Sequence, residues 1–269
     1  MLKVGFVNYI NSYPLNYSFK KGMIAPSVEL YYAVPSHLNA LIHQGKLDLS
    51  FVSLKEFLDH KRTKYEQIPG YGIAAEKKIL SVNLYHKGAL KELDGARVGL
   101  THHSATSAAL LKVLCYHFWN ISPCFEILDR SLPFATYQGI LLIGDEALLN
   151  LEIPNFTTVD LAESWYNQTH LPFVFSVIAR QKELLSEKEQ AVAHFLCQLE
   201  MSLAYSEKHI EEIACLAKKQ CALPLELIKT YYKICHYRLG EIHYKAISLF
   251  NQLIHEISSY NTQDHPIPV

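Results

Sequence analysis

The sequence predicts an α/β protein folded as two lobes, on three observations. Short β-rich runs alternate with helical patterns through the first two-thirds of the chain, the rhythm of parallel βαβ units. Two extended apolar stretches, near 80–86 and 171–178, flank a central block, as when a chain enters a second lobe along one strand and returns along another. The last third then turns to amphipathic helices. These crossings divide the chain into residues 1–84 with 174–269 as one lobe and 85–173 as the other, with a ligand cleft expected between them.

Lys3 to Tyr9 reads as a strand, and Pro14 and Leu15 open a short helical segment. Val28 to Val34 is the next strand. Pro35 and Ser36 then start a helix whose apolar residues Leu38, Leu41 and Ile42 share a face, and Gly45 supplies the stop. Leu47 to Ser53 is a strand that runs into the helical Leu54-Lys55-Glu56-Phe57-Leu58. Ile68-Pro69-Gly70-Tyr71-Gly72 reads as punctuation before the extended run Ile79 to Tyr85. Leu93-Asp94-Gly95 forms a turn ahead of the strand nucleus Arg97 to Leu100, and a strong helix covers Ala108 to Phe118. Ile140 to Ile143 and Phe173 to Ala179 are buried strands. Helical faces follow at Val192, Phe195, Leu196, Leu199 and Leu203, at Ile210, Ile213, Ala214 and Ala217, and at Ile247, Phe250, Ile254 and Ile257.

Composition removes several function classes. With 269 residues, 49% hydrophobic and 19% charged, the chain has enough apolar material for a substantial core. A net charge of −1 and the lack of any Lys/Arg block give no field for nucleic acid or an anionic membrane. No stretch is apolar for the length a bilayer requires. Met1-Leu2-Lys3 leads directly into Val4-Gly5-Phe6-Val7, with Asn8 and Asn11 interrupting any apolar leader, so a cytoplasmic location is expected. The six cysteines form no CxxC pair, so a bound metal is not expected; their even count allows disulfides, but their sparse spacing points rather to free, buried thiols. No GxGxxG, GxxxxGK[ST] or GxSxG occurs, so neither a nucleotide loop nor a serine-hydrolase elbow is present.

Three segments remain as candidate ligand contacts. Asn8-Tyr9-Ile10-Asn11-Ser12-Tyr13-Pro14-Leu15 lies at a strand's carboxyl end before a helix, where parallel sheets bind their ligands. An asparagine there serves equally as a cap. Ser104-Ala105-Thr106-Ser107 places hydroxyls and free N–H groups at a helix start, an anion site or an ordinary cap, with His102 and His103 before it. Ile143-Gly144-Asp145-Glu146-Ala147-Leu148 puts a carboxylate after a buried strand, either to orient a ligand or to cap the helix. Glu163 to Trp165 and the Phe173/Phe175 pair read as core packing, though Phe173 also suits the floor of a ring-binding cleft.

The run Val4 to Leu15 resembles the opening of the chorismate dehydratases of the futalosine route to menaquinone. The resemblance continues, in order, through Val34-Pro35-Ser36-His37-Leu38-Asn39, Gly45 to Leu49, Ser53 to Leu58 and Leu93 to Val98. It extends to Ser104-Ala105-Thr106-Ser107, Leu142 to Leu148 and Leu171-Pro172-Phe173-Val174-Phe175, with Tyr237-Arg238-Leu239-Gly240 a weaker echo. The chain departs from the pattern at His102-His103 and at Gln138-Gly139.

This resemblance implies a type II periplasmic-binding-protein-like fold used inside the cell, with central sheets, hinge strands and C-terminal helices. It implies a hydro-lyase with chorismate as its small-molecule partner, no cofactor, no metal, no nucleic acid and no membrane. Asn11 and Ser81 fall at the family's catalytic asparagine and serine. Ser53, Ser104, Thr106, Ser107, Asp145 and Phe173 are carried over as substrate contacts. The substrate's own enolpyruvyl carboxylate is the implied proton acceptor. Two other readings stand beside this one: a non-catalytic solute-binding protein of the same fold, and the related dihydroxynaphthoate synthase of the same pathway.

Overall fold

A computed structural model describes residues 1–101 and 105–264, and side chains through residue 257. In chain order the first elements are β1 (Lys3–Val7), α1 (Tyr13–Lys20), β2 (Glu29–Ala33), α2 (Pro35–His43), β3 (Leu49–Ser53), α3 (Leu54–His60) and β4 (Tyr65–Ala75). The middle of the chain forms β5 (Val82–His86), β6 (Arg97–Leu100), α4 (Ala105–Val113), β7 (Cys124–Ile127), β8 (Gly139–Ile143), α5 (Gly144–Leu149), β9 (Thr157–Asp160) and α6 (Leu161–Thr169). The return comprises β10 (Phe173–Gln181), α7 (Glu189–Lys208), α8 (Ile210–Lys218), α9 (Leu225–Ile234), β11 (Cys235–Arg238) and α10 (Glu241–Asp264).

The chain divides into two compact units, Met1–Ala74 with Phe175–Leu239, and Ala75–Val174 with the chain from Gly240 on. The sequence boundaries at 84/85 and 173/174 therefore move to 74/75 and 174/175. The last helix, assigned from sequence to the first lobe, joins the second unit. There α10 packs on α4, Phe250 stands edge-on to Trp165 and Phe173, and the Leu253 carbonyl meets His117 Nε2 at 3.0 Å. Helical periodicity identifies a buried face but not the partner it is buried against.

The first unit is built on a six-stranded sheet of order β11-β4-β10-β3-β1-β2. β1 runs parallel to both β2 and β3, while β10 returns antiparallel to β3, with Ser176 opposite Ser53. Phe6 anchors its core, its ring 5.0 Å from Phe51 and 6.0 Å from Phe195 of α7. β3 is buried along its whole length, as expected of a central strand covered on both faces. Pro35 starts α2, where its missing N–H costs nothing.

β4 overturns one sequence expectation. Ile68-Pro69-Gly70-Tyr71-Gly72 reads as punctuation in the sequence, yet it lies inside this eleven-residue strand. At Gly72 a Cβ would stand 2.5 Å from the Ser176 carbonyl oxygen and 2.6 Å from Leu239 Cδ1. Gly72 thus marks a close approach between strands and not a turn. Gly70, at φ +93°, bends the strand and accepts the Leu239 N–H at 2.9 Å.

The second unit holds a five-stranded sheet of order β7-β6-β8-β5-β9. β7, β6 and β8 are parallel, whereas β5 runs antiparallel to β8 and β9. Tyr85, Tyr137, Ile140 and Leu142 form its core, and burial pushes the Tyr85 phenol up to about 12. The helix expected over Ala108–Phe118 begins earlier and ends in a π-helical segment, Leu114–Trp119. All six cysteines are free, but only Cys115 and Cys235 are buried, while Cys124, Cys197 and Cys215 are exposed. Among the described residues no helix is long and apolar enough to cross a membrane.

Candidate functional site

In the first unit, β1 and β3 are parallel neighbours, so their carboxyl ends open at one edge of the sheet. After β1 the chain makes a tight turn at Ile10–Ser12 and enters α1. Buried Ser12 holds that turn: its Oγ lies 2.9 Å from the Tyr9 carbonyl oxygen, against the Val7 carbonyl as well, and accepts from Asn16 Nδ2 at 3.1 Å. Asn11, in the middle of the turn, keeps its Oδ1 buried with no hydrogen-bond partner among the described residues. The same is true of Asn16 Oδ1. A buried acceptor left unpaired costs about 1–3 kcal/mol, a cost that ordered water, a ligand or a strained element relieves or explains.

Ser53 ends β3 and caps α3, its Oγ accepting from the Glu56 N–H at 3.4 Å and from Asn39 Nδ2 at 3.3 Å. Asn39, from α2, also has a buried Oδ1 without a partner. Sequence reasoning did not single out Asn39; its place in the run Val34 to Asn39 was the available signal.

In the second unit, β6 and β8 are parallel neighbours and again share a carboxyl edge. Thr106 and Ser107 are buried in the first turn of α4 after β6. Asp145, half-buried, follows β8 in the first turn of α5. Because β5 runs antiparallel to β8, with Val82 opposite Ile143, Ser81 arrives at that same edge. Its carbonyl accepts the Gly144 N–H at 2.7 Å. The structure therefore brings Ser81, Thr106, Ser107 and Asp145 to one edge of this sheet. Ser104, with His102 and His103, lies outside the described residues. Phe173 is elsewhere: 1% exposed, it packs edge-on to Trp165 at 5.5 Å and Phe250 at 4.9 Å, which gives it a core role.

Ser81 is braced by residues that sequence reasoning passed over. Leu80 adopts φ +66°, a left-handed conformation costing a branched side chain about 1–2 kcal/mol. Asp160 Oδ2 accepts the N–H groups of Ile79 at 2.9 Å and Leu80 at 2.7 Å. Its Oδ1 accepts those of Ala162 at 2.9 Å and Glu163 at 3.1 Å, capping α6. Asn83 Nδ2 donates to the Leu80 carbonyl at 2.8 Å. Burial pushes the Asp160 carboxyl above the ordinary aspartate range, against the pull of those four N–H donors. The signal was present in Asp160-Leu161-Ala162-Glu163, an acidic cap with glutamate three residues on.

Cavities among the described residues include one at the Ser81 brace and one apart from these residues. One of about 730 Å³ in the second unit is lined by Leu80, Asn83, Ile153, Phe156 and Asp160 among others. Another of about 530 Å³ in the first unit is lined by Tyr17, Lys21, Met23 and Glu212 among others. His43, Glu56 and His60 gather potential metal-binding atoms within 4.8 Å of one another, a cluster not legible from spacing. Its groups already have partners: Glu56 Oε1 accepts from Tyr65 Oη at 3.1 Å, His60 Nδ1 lies 3.0 Å from the Glu56 carbonyl, and Lys64 Nζ donates to His43 Nε2 at 2.9 Å.

The family described as Menaquinone biosynthesis matches residues 2–256. A chorismate dehydratase from Thermus thermophilus is 36% identical over 197 residues, covering 67% of this chain and 70% of the relative. This chain belongs to the menaquinone-biosynthesis family. A second chorismate dehydratase, from Campylobacter jejuni, is 32% identical over 177 residues, 64% of each chain. Among solved structures, a protein from Archaeoglobus fulgidus superimposes with a TM-score of 0.71 at 17% identity, covering 98% of both chains. The periplasmic aliphatic sulphonate binding protein of Escherichia coli gives 0.65 at 15% identity, covering 96% of this chain and 87% of that one. At such identities the likeness establishes the periplasmic-binding-protein fold alone, and that fold is the one the sequence resemblance implied.

Proposed function

We propose that this member of the menaquinone-biosynthesis family is a lyase that dehydrates chorismate to 3-[(1-carboxyvinyl)oxy]benzoate. The observation that carries the reading is its 36% identity to a chorismate dehydratase across 70% of that enzyme, within a family match over residues 2–256. The residues at the two sheet edges are chemically suited to the reaction.

Chorismate loses a ring hydroxyl and the adjacent ring hydrogen as water. That hydrogen is vinylogous to the ring carboxylate, so its removal places negative charge on a dienolate. Donors aimed at the carboxylate stabilise the charge as it develops. Expulsion of the hydroxyl then makes the ring aromatic. Thr106 and Ser107, in the first turn of α4, offer hydroxyls and helix N–H groups for a carboxylate. The amide of Asn11, whose Oδ1 has no partner among the described residues, is assigned to the substrate hydroxyl, which it orients for departure. Ser81 is assigned to the reacting ring, Ser53 and Asp145 to flanking polar groups, and the substrate's enolpyruvyl carboxylate to the departing proton. Purified protein mixed with chorismate should yield the enolpyruvyl benzoate by liquid chromatography. Folded protein that leaves chorismate unchanged would refute the assignment.

A further inference from the structure

We propose that Asp160 is a positioning residue for Ser81: it holds Leu80 in its left-handed conformation and thereby fixes the direction in which the Ser81 side chain projects. The inference rests on Ser81 acting in the reaction. Leu80 and Ser81 are consecutive, so the φ angle of Leu80 sets the path of the backbone into Ser81. A leucine at φ +66° relaxes to negative φ unless its peptide groups are held. Both are held. Asp160 Oδ2 takes the Leu80 N–H at 2.7 Å and the Ile79 N–H at 2.9 Å, and Asn83 Nδ2 takes the Leu80 carbonyl at 2.8 Å. On the far side, the Ser81 carbonyl is tied to the Gly144 N–H at 2.7 Å.

Asp160 is fitted to this task by its own anchoring. Its other oxygen caps α6 through Ala162 and Glu163, and its backbone lies opposite Asn83 in the β5–β9 pairing. At 6% exposure it has little access to water as an alternative partner. An asparagine at this position retains the size but has one acceptor oxygen. It can cap α6 or hold Leu80, and turns an NH2 group toward the N–H donors it abandons.

The test is steady-state kinetics of the full chain on chorismate. Asp160→Asn should lower kcat about 10-fold or more with KM moved less than about 3-fold, because a small misplacement of a reacting group costs turnover more than binding. Adding Leu80→Gly to that variant should recover turnover several-fold, since glycine adopts a positive φ without the strain that drives a leucine out of it. Ser81→Ala should abolish most turnover, and Asp160→Asn added to Ser81→Ala should cost little more. Unchanged kcat in Asp160→Asn beside an inactive Ser81→Ala overturns the positioning role while leaving Ser81 in the reaction. An active Ser81→Ala overturns the premise itself. A fall in kcat that Leu80→Gly does not recover shows a purely structural role. Should Asp160→Asn not fold, Asn83→Ala releases Leu80 from its carbonyl side. A several-fold loss of kcat is then expected, and full turnover contradicts the proposal.

Discussion

The two units use the same local grammar, a buried strand followed by a polar turn and a helix, to opposite ends. In the first unit, Asn11, Asn16 and Asn39 each bury an amide oxygen that no group among the described residues satisfies. In the second, Asp160 satisfies four backbone N–H groups, Leu80 is tied at both its N–H and its carbonyl, and the Ser81 carbonyl accepts from Gly144. At the first edge these amide oxygens have no partner among the described residues; at the second, the Asp160 carboxylate is spent on fixing the backbone path into Ser81. Polar residues at the carboxyl end of a strand are therefore not equivalent: the amide oxygens of Asn11, Asn16 and Asn39 lack partners among the described residues, whereas the Asp160 carboxylate is saturated.

That contrast is broken most directly at Asn11. Asn11→Ala should reduce turnover of chorismate about 100-fold or more, in the range seen when one positioned polar group is removed from a reacting site. Its melting temperature should stay within about 2 °C of the parent, because truncation removes an unpaired acceptor and no bond to Oδ1. A large loss of stability would mean that Asn11 is a brace after all.

The reverse is expected at Asp160. Asp160→Ala strips acceptors from four N–H groups and removes the α6 cap, and should lower the unfolding free energy by about 2–4 kcal/mol in urea titrations. Stability equal to the parent would remove the brace. In the first unit, Gly72→Ala should cost about 1–3 kcal/mol, since its Cβ meets a backbone oxygen that cannot move aside. The smallest effect is chemical. Burial raises the thiols of Cys115 and Cys235, one in each unit, to about 12. Native protein treated with a thiol reagent near neutral pH should label Cys124, Cys197 and Cys215 and spare those two, as peptide mapping would show.

Much of the fold was legible because alternation and helical periodicity report burial directly. β1, β3, α2 and β8 stand close to where those patterns place them. What escaped depends on partners distant in sequence. β4 was hidden by Pro69 and Gly72, whose close approach to Ser176 and Leu239 has no local signature. The allegiance of α10 is decided by Phe250 meeting Trp165 and Phe173, a choice that one amphipathic face cannot reveal. Most site residues came from ordered resemblance to a family. Phe173 shows its limit, since an aromatic in a matching run sits in the core. Asp160 shows the converse: a plain helix cap in the sequence becomes a brace for Ser81 only when Leu80 is seen at positive φ.

The most direct measurement is a time course of purified protein with chorismate, followed by ultraviolet absorbance and mass spectrometry and run beside Asn11→Ala. Stoichiometric conversion of chorismate to an aromatic product lighter by one water, nearly abolished in the variant, is the expected result. Unchanged chorismate, with turnover seen instead on a cyclised futalosine-type compound, would contradict the assignment and place the protein at a later step of menaquinone synthesis.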